Sequence, residues 1–318
     1  MSGAWALRPS SAVGRLSGRQ LLVLGMRDLL RAARNEKILL VSLVAPAPAA
    51  MAGFARAARS FDAPLLLVRP SGAADEKGPE ESRDDAAFVE LAFRAADELH
   101  FGGPLALLKD PPRAGSSVPD SERVHREMDA GFTGLSLAAA DTQVEARDAA
   151  LAATAVCQLE LGLEVVPLGG ARAAAELARQ LRSRGAAPSA VRLTGLEDEA
   201  LSLGGDAAVS SASEHLVEKL LGLGVQQLVA SGPFLRALRR SAPAALWEKL
   251  QAWADEKGGS LEHSCARHQR LLRDLPQEAQ EKLEALCCFE AEDLFRKASV
   301  RGTGARLAAA VAALHPGD

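Results

Sequence analysis

The 318-residue sequence contains no tyrosine, and aromatic residues make up only 4% of it. Aromatic platforms on which nucleobases or sugar rings could stack are therefore scarce. Positive charge is not in surplus either, because 37 Lys and Arg face 41 Asp and Glu, for a formal net charge of −4. Proteins that bind nucleic acids normally carry a clustered basic excess, so the charge balance argues against that function.

Long apolar runs are also missing. No stretch approaches the roughly 18 residues that span a bilayer, and the apolar run at 21–24 is too short for a signal peptide. Four cysteines are too few for a disulfide scaffold, so we expect a cytoplasmic protein without membrane association. The remaining composition, 48% apolar and 25% charged, is that of an ordinary globular chain with a sizeable core.

Short apolar runs alternate with amphipathic stretches along most of the chain. Short runs that are apolar throughout are typical of strands covered on both faces, as in a parallel sheet. The amphipathic stretches between these runs are predicted to be helices. The predicted fold is a TIM (β/α)8-type barrel, with a doubtful eighth strand at 206–210. No glycine-rich fingerprint follows the first strand, which favours the closed barrel over a dinucleotide-binding fold. An open doubly wound sheet is the alternative. The seven clear strands are predicted at 37–44, 64–68, 104–108, 134–138, 163–168, 190–193 and 227–230.

Three segments organise the predicted protein. Residues 1–19 form an N-terminal arm, residues 20–243 form the barrel, and residues 244–318 form a helical extension. We expect this extension to pack on the barrel or to form an oligomer interface. Residues 72–85 are acidic and interrupted by Gly and Pro, which predicts a solvated loop before a helix at 86–99.

Five pieces of the chain carry a resemblance to a known family. They are MRDLLRAARNEK (26–37) as a helix that caps the barrel, APLLLVRPSGA (63–73), PLALLKDPP (104–112) and AGFTGLSLAAAD (130–141) as strands two to four, and LGLGVQQLVASG (221–232) as the last helix and strand. In order and spacing they resemble the zinc-dependent (class II) fructose- and tagatose-bisphosphate aldolases, which are TIM barrels. The match extends over roughly half of the chain.

The resemblance implies a zinc ion held by three histidines, an aspartate that handles the proton, and phosphate held at the last two strands. At the matching positions the aspartate is present as Asp110, but the adjoining zinc histidine is replaced by Pro111. The strands at 190–198 and around 203–205 contain no histidine, and residues 165–166 are valines where a glutamate is expected.

Proline and valine cannot ligate a metal, so we expect a degenerate aldolase-like barrel that binds no cofactor. Such a barrel would be non-catalytic and would serve as a scaffold, a subunit or a binder of a small phosphorylated ligand. Zinc is expected only if the matched positions are misassigned. The alternative is a carbon–carbon lyase for a phosphorylated sugar, in which Asp110 and Asp141 act on the substrate and Arg69 or Arg192 holds phosphate.

Turns after predicted strands supply the candidate positions for a ligand or phosphate, since a helix N-terminus binds anions. Each of them has an ordinary turn as its alternative. Lys109 lies in an apolar strand, and alternation turns it toward the helices, which predicts a snorkelling or ion-paired lysine rather than a Schiff base. The candidate ligand positions are Ser71, Gly72, Gly169, Gly170, Ser231 and Gly232.

Six histidines are present, and two of them cluster with a cysteine. His263, Cys265 and His268 form a weak metal candidate, with a Cys287–Cys288 pair about 20 residues further on. Their spacing is not a standard ligand spacing, and the alternative is two partly exposed histidines beside buried structural cysteines. The predicted partner is a second copy of the chain or another protein, bound through 244–318.

Overall fold

The computed structural model describes residues 6–16, 18–71, 79–111, 120–139, 145–158, 161–167, 171–193, 208–256 and 260–316. Within these ranges, eight parallel strands close into a barrel. A two-residue strand, β1 (Leu22–Val23), precedes them in the chain. The barrel strands are β2 (Leu40–Val44), β3 (Leu65–Arg69), β4 (Pro104–Lys109), β5 (Gly134–Ala139), β6 (Gly162–Pro167), β7 (Ala190–Leu193), β8 (Ala208–Ser211) and β9 (Gln227–Ala230).

The barrel closes where the last strand pairs with the first barrel strand. Leu40 of β2 lies opposite Gln227 of β9, and Leu43 lies opposite Ala230. This closure confirms the predicted TIM barrel and rules out the open doubly wound sheet, because the ring leaves no edge. The eighth strand, β8, overlaps the stretch predicted for it at 206–210.

Helices surround the barrel and continue beyond its last strand. None of the helices in the described part of the chain combines the length and apolar character that a membrane span requires. The helices are α1 (Ser10–Val13), α2 (Met26–Glu36), α3 (Pro48–Phe61), α4 (Pro79–Glu98), α5 (Asp120–Ala130), α6 (Glu145–Gln158), α7 (Ala171–Ser183), α8 (Val217–Leu220), α9 (Gly232–Ser241), α10 (Ala244–Glu256), α11 (Leu261–Arg267), α12 (Gln269–Arg273), α13 (Gln277–Lys297) and α14 (Thr303–Leu314), with a 3-10 turn at Glu214–Leu216.

Helix α2 closes the end of the barrel where the strands begin. The Met26 backbone N–H donates to the Thr133 carbonyl at 3.0 Å. Glycine at the start of β6 makes this approach possible, since a Cβ on Gly162 would lie 2.4 Å from the Cβ of Met26. The structure thus contains the capping helix that the sequence predicts.

Alternation along the strands divides the apolar core into two layers. Leu67 and Leu107 face outward and pack against the helices, whereas Leu66 and Leu108 face the lumen. Because both layers are buried, the strands are apolar on both faces, which is why they appear as short continuous apolar runs.

The C-terminal helices pack on the barrel. Helix α13 lies along α3 with Leu283, Cys287 and Ala291 fully buried. Helix α14 packs on α2 below the lumen, where a ring nitrogen of His315 lies 3.1 Å from Asp28 Oδ2. The additional helical segment predicted after the barrel is therefore present.

The prediction of a solvated loop over residues 72–85 is wrong for its second part. Helix α4 already begins at Pro79, and Asp85 is only 3% exposed. The carboxylate of Asp85 is drawn inward because it contacts Lys109 Nζ at 2.8 Å and the guanidinium of Arg69. Residues 72–78 lie outside the described part of the chain.

Candidate functional site

Polar side chains project into the lumen from four neighbouring barrel strands. Ser136, Glu164, Arg192 and Ser210 come from β5, β6, β7 and β8, at positions where alternation points the side chain inward. Asp110 directly follows β4. Active sites of TIM barrels lie at this C-terminal end of the strands, so the cluster marks the candidate site.

The guanidinium of Arg192 joins the two acidic residues of the cluster. Its Nε donates to Glu164 Oε1 at 3.2 Å, and its Nη2 donates to Glu164 Oε2 at 2.5 Å. The same Nη2 donates to Asp110 Oδ1 at 2.9 Å. One arginine therefore holds carboxylates from two different strands, one of them through a bidentate contact.

Two hydroxyl groups complete the surroundings of Glu164. Ser136 Oγ donates to Glu164 Oε2 at 3.1 Å, and Ser210 Oγ donates to Glu164 Oε1. Glu164 is 6% exposed, so its carboxylate has left water and is solvated by these protein donors instead.

The electrostatics of the cluster keep the arginine charged. Burial alone would lower the pKa of Arg192, but the adjacent carboxylates of Asp110 and Glu164 outweigh burial and raise the pKa above its ordinary value. With both carboxylates ionised, the three side chains carry a net charge of −1. The cluster is thus a poor site for a phosphate group.

Asp110, the aspartate carried over from the resemblance, lies at this end of the lumen with its side chain 15% exposed. Ser71, a predicted ligand position, lies beside it, but its hydroxyl donates to the backbone carbonyl of Asp110. The structure therefore brings Asp110 and Ser71 together, and it adds Arg192 to them.

Glu164 is the residue that sequence reasoning missed. The resemblance implies a glutamate at residues 165–166, which are valines, and the structure shows Glu164 beside them, facing the lumen between Gly162 and Val166. A single glutamate inside an otherwise apolar strand is the signal that reveals it, because such a charge is buried only with a partner.

Two basic residues of neighbouring strands face away from the lumen. Lys109 is 1% exposed and forms an ion pair with Asp85 of α4, as alternation predicted. Arg69 contacts the same carboxylate. The expectation that Arg69 holds phosphate in the barrel mouth is therefore wrong, because its strand position turns it toward the helices.

The turn after β9 already binds an anionic group of the protein itself. The backbone N–H of Gly232 donates to Glu214 Oε1 at 2.5 Å, and Arg236 contacts the same carboxylate at 3.3 Å. Ser231 precedes helix α9 without donating or accepting a capping side-chain hydrogen bond. Glu214 thus takes the position that a ligand phosphate would need at Ser231–Gly232.

The structure does not assemble a metal site from His263, Cys265 and His268. The ring of His263 contacts Ser260 Oγ, and the ring of His268 stacks on Trp253 at 3.5 Å. Cys265 is fully buried, and burial raises the pKa of its thiol, which disfavours the thiolate that metals bind. Among the described residues, no group of three His, Cys, Asp or Glu side chains is placed to hold a metal.

The remaining candidate positions lie outside the residues that the structure describes. They are Gly72, Asp141, Gly169 and Gly170.

The lumen cluster does not fit the zinc centre that the resemblance implies. All six histidines fall within the described ranges, and none of them lies in a strand. The donors that converge in the lumen are two carboxylates and two hydroxyls, and a guanidinium lies among them. Zinc prefers nitrogen and sulfur ligands, whereas this cluster already encloses a positive charge.

Fold and site together define a (β/α)8 barrel with an ion-paired lumen. No family description matches the sequence, and no curated protein matches it either. The fold is similar to that of the YdjI aldolase from Escherichia coli K12, with a TM-score of 0.61, 12% identity, and 89% of this chain and 99% of that chain covered. It is also similar to a proposed fructose-1,6-bisphosphate aldolase from Coccidioides immitis, with a TM-score of 0.60, 14% identity, and coverage of 93% and 99%. At these identities the similarity establishes the fold.

Proposed function

We propose that this protein is a non-catalytic aldolase-like barrel that acts as a scaffold or subunit. The observation that carries the proposal is the network around Arg192, which engages Asp110 and Glu164, the two acidic side chains that the described residues place in the lumen. The metal-dependent aldol cleavage that the resemblance implies needs a group that accepts a proton and a cation that polarises the substrate carbonyl. In this barrel the carboxylate and the cation neutralise each other.

Energetics support the same proposal. A substrate that used Asp110 as a base would have to compete with Arg192, whose Nη2 donates to Asp110 Oδ1 at 2.9 Å. A site for phosphate is the second requirement. The cluster of Asp110, Glu164 and Arg192 carries a net negative charge, and Glu214 occupies the N-terminus of helix α9.

Activity measurements test the proposal directly. Fructose-1,6-bisphosphate and tagatose-1,6-bisphosphate are incubated with the purified protein, with and without added Zn²⁺, and triose phosphate is measured. We expect no cleavage above the protein-free blank, because Arg192 engages both carboxylates that the described residues direct into the lumen. Cleavage that disappears in Asp110→Asn and persists in the surface control Asp129→Asn would contradict the proposal.

That contrary outcome would establish the second candidate, a lyase with rearranged residues acting on a phosphorylated sugar. It is favoured by one observation, the partly exposed carboxylate of Asp110 at the mouth of the lumen. In that case Arg192 would position Asp110, and the catalytic role would belong to Asp110 itself.

A scaffold needs a contact surface, and we assign it to the helices of 244–318. Helix α13 buries one face on the barrel, while Phe289 on the same helix is 61% exposed. Exposed aromatic side chains are typical anchors of protein interfaces. The proposed location is the cytoplasm, where a reducing environment suits the four unpaired cysteines.

Phe289→Ser tests this surface without disturbing the buried face of α13. We expect the wild-type protein to form an oligomer whose mass by light scattering falls to that of the monomer in the variant. Deleting 244–318 is a poorer test because it removes core residues such as Cys287. A monomeric wild type, or an unchanged mass in Phe289→Ser, would contradict self-association through this face.

A further inference from the structure

The lumen of this barrel contains acidic and hydroxyl groups that are arranged like the ligands of a cation. Two carboxylates from different strands, Asp110 and Glu164, lie 2.9 and 2.5 Å from one and the same nitrogen of Arg192. The hydroxyl oxygens of Ser136 and Ser210 lie next to Glu164. Oxygen atoms that converge in this way are suitable ligands for Mg²⁺, Mn²⁺ or Ca²⁺ when no other cation lies between them.

We infer that the guanidinium of Arg192 is the resident cation of the lumen and takes the place between Asp110 and Glu164 that a divalent metal would otherwise take. The inference rests on the proposed function, in which no catalytic metal ion binds at the mouth of the lumen. It goes beyond that proposal because it assigns the exclusion of a metal ion to a single side chain, that of Arg192.

Charge and geometry both favour this assignment. The two carboxylates would repel each other strongly in a water-poor lumen, and the arginine removes most of that repulsion. The planar fork matches Glu164 with two parallel contacts, which gives the cation a fixed position. A divalent ion would have to displace Arg192, because two cations within about 3–4 Å of each other repel.

An arginine held ready for an external anion fits the geometry less well. Its Nε and Nη2 already donate to Glu164, and Nη2 also donates to Asp110. An incoming phosphate would add negative charge to a cluster whose net charge is already −1. The two carboxylates are therefore the partners that explain why an arginine lies at this position in the lumen.

The test compares the wild-type protein with Arg192→Met, which keeps an extended side chain and removes the charge. Melting temperatures are measured in buffer, in EDTA and with Mn²⁺ alone as the probe. We expect the wild type to respond to neither EDTA nor Mn²⁺. Arg192→Met should melt lower in buffer and rise by about 2 °C when Mn²⁺ is ten times its dissociation constant.

Arg192→Met with Glu164→Gln is the matched control. It removes one of the two carboxylates, so it should melt higher than Arg192→Met and lose the response to Mn²⁺. If Arg192→Met does not fold, a folded double variant still supports the inference, because relief of repulsion then restores the fold. A double variant no more stable than the single one indicates that Arg192 only fills space, and this overturns the inference.

Two further results would also overturn it. One is about one metal ion per wild-type chain whose removal by EDTA lowers the melting temperature. The other is a folded Arg192→Met that does not respond to Mn²⁺. Failure of the proposed function is distinguishable, since metal-free cleavage of a sugar bisphosphate by the wild type would refute that proposal and leave the role of Arg192 intact.

Discussion

Replacing Asp85 with alanine is expected to lower the free energy of unfolding by about 3–5 kcal/mol. Asp85 belongs to helix α4 and is 3% exposed. Its carboxylate faces the outer side of the barrel, where it contacts Lys109 and Arg69. Its removal leaves two buried cations without this carboxylate, and buried charge is costly unless it is paired. Urea denaturation followed by tryptophan fluorescence measures the loss.

Two companion variants separate the charge effect from a general effect of substitution in α4. Asp84→Ala, at the neighbouring and more exposed position, should change the stability by no more than about 0.5 kcal/mol. Asp85→Ala with Lys109→Met should be more stable than Asp85→Ala alone, because one buried cation has been removed. Equal stability of the single and double variants would contradict the ion-pair account.

Gly53→Ala is expected to destabilise the protein by about 1–3 kcal/mol. Alanine in place of glycine usually stabilises a helix by up to about 1 kcal/mol, so the predicted sign is the opposite of the usual one. The reason is the close packing of α3 on α13, where a Cβ on Gly53 would lie 2.4 Å from the Glu284 carbonyl oxygen and 2.8 Å from Cys287 Cβ. Thermal unfolding of the variant measures the effect.

Gly222→Ala is the matched control for this prediction. A Cβ at this position would meet only the Lys219 carbonyl oxygen, at 3.5 Å, which is an ordinary contact. We expect its melting temperature to stay within about 2 °C of the wild-type value. A Gly53→Ala variant as stable as Gly222→Ala would show that the two helices move apart at little cost.

The architecture was predictable because its signal is local. Continuous apolar runs such as 64–68 and 104–108 predict strands covered on both faces, and their repetition predicts a barrel. Even the weak eighth strand was sought in the right stretch, since β8 begins at Ala208. Closure itself follows from the pairing of β9 with β2, which no local pattern contains.

The candidate site was only partly predictable. Asp110 was found through its neighbours in the chain, whereas its partner Arg192 lies 82 residues away and was considered only as a phosphate holder. Glu164 was passed over because the expected position fell on the neighbouring valines. Likewise, residues 79–85 appeared to be a solvated loop because the acidic composition is visible in the sequence and the buried cations opposite Asp85 are not.

The sequence by itself thus determined the order of strands and helices and the helical character of the C-terminal segment. These depend on apolar periodicity and on spacing over a few residues. Only the tertiary structure decided which charges meet: Arg192 with Glu164 and Asp110 in the lumen, and Lys109 with Asp85 outside it. Barrel closure sets the pairings in the lumen, because it brings the ends of strands that are distant in the chain to within hydrogen-bonding distance. The outer pairing is set by helix α4, which carries Asp85 to the outer face of β4.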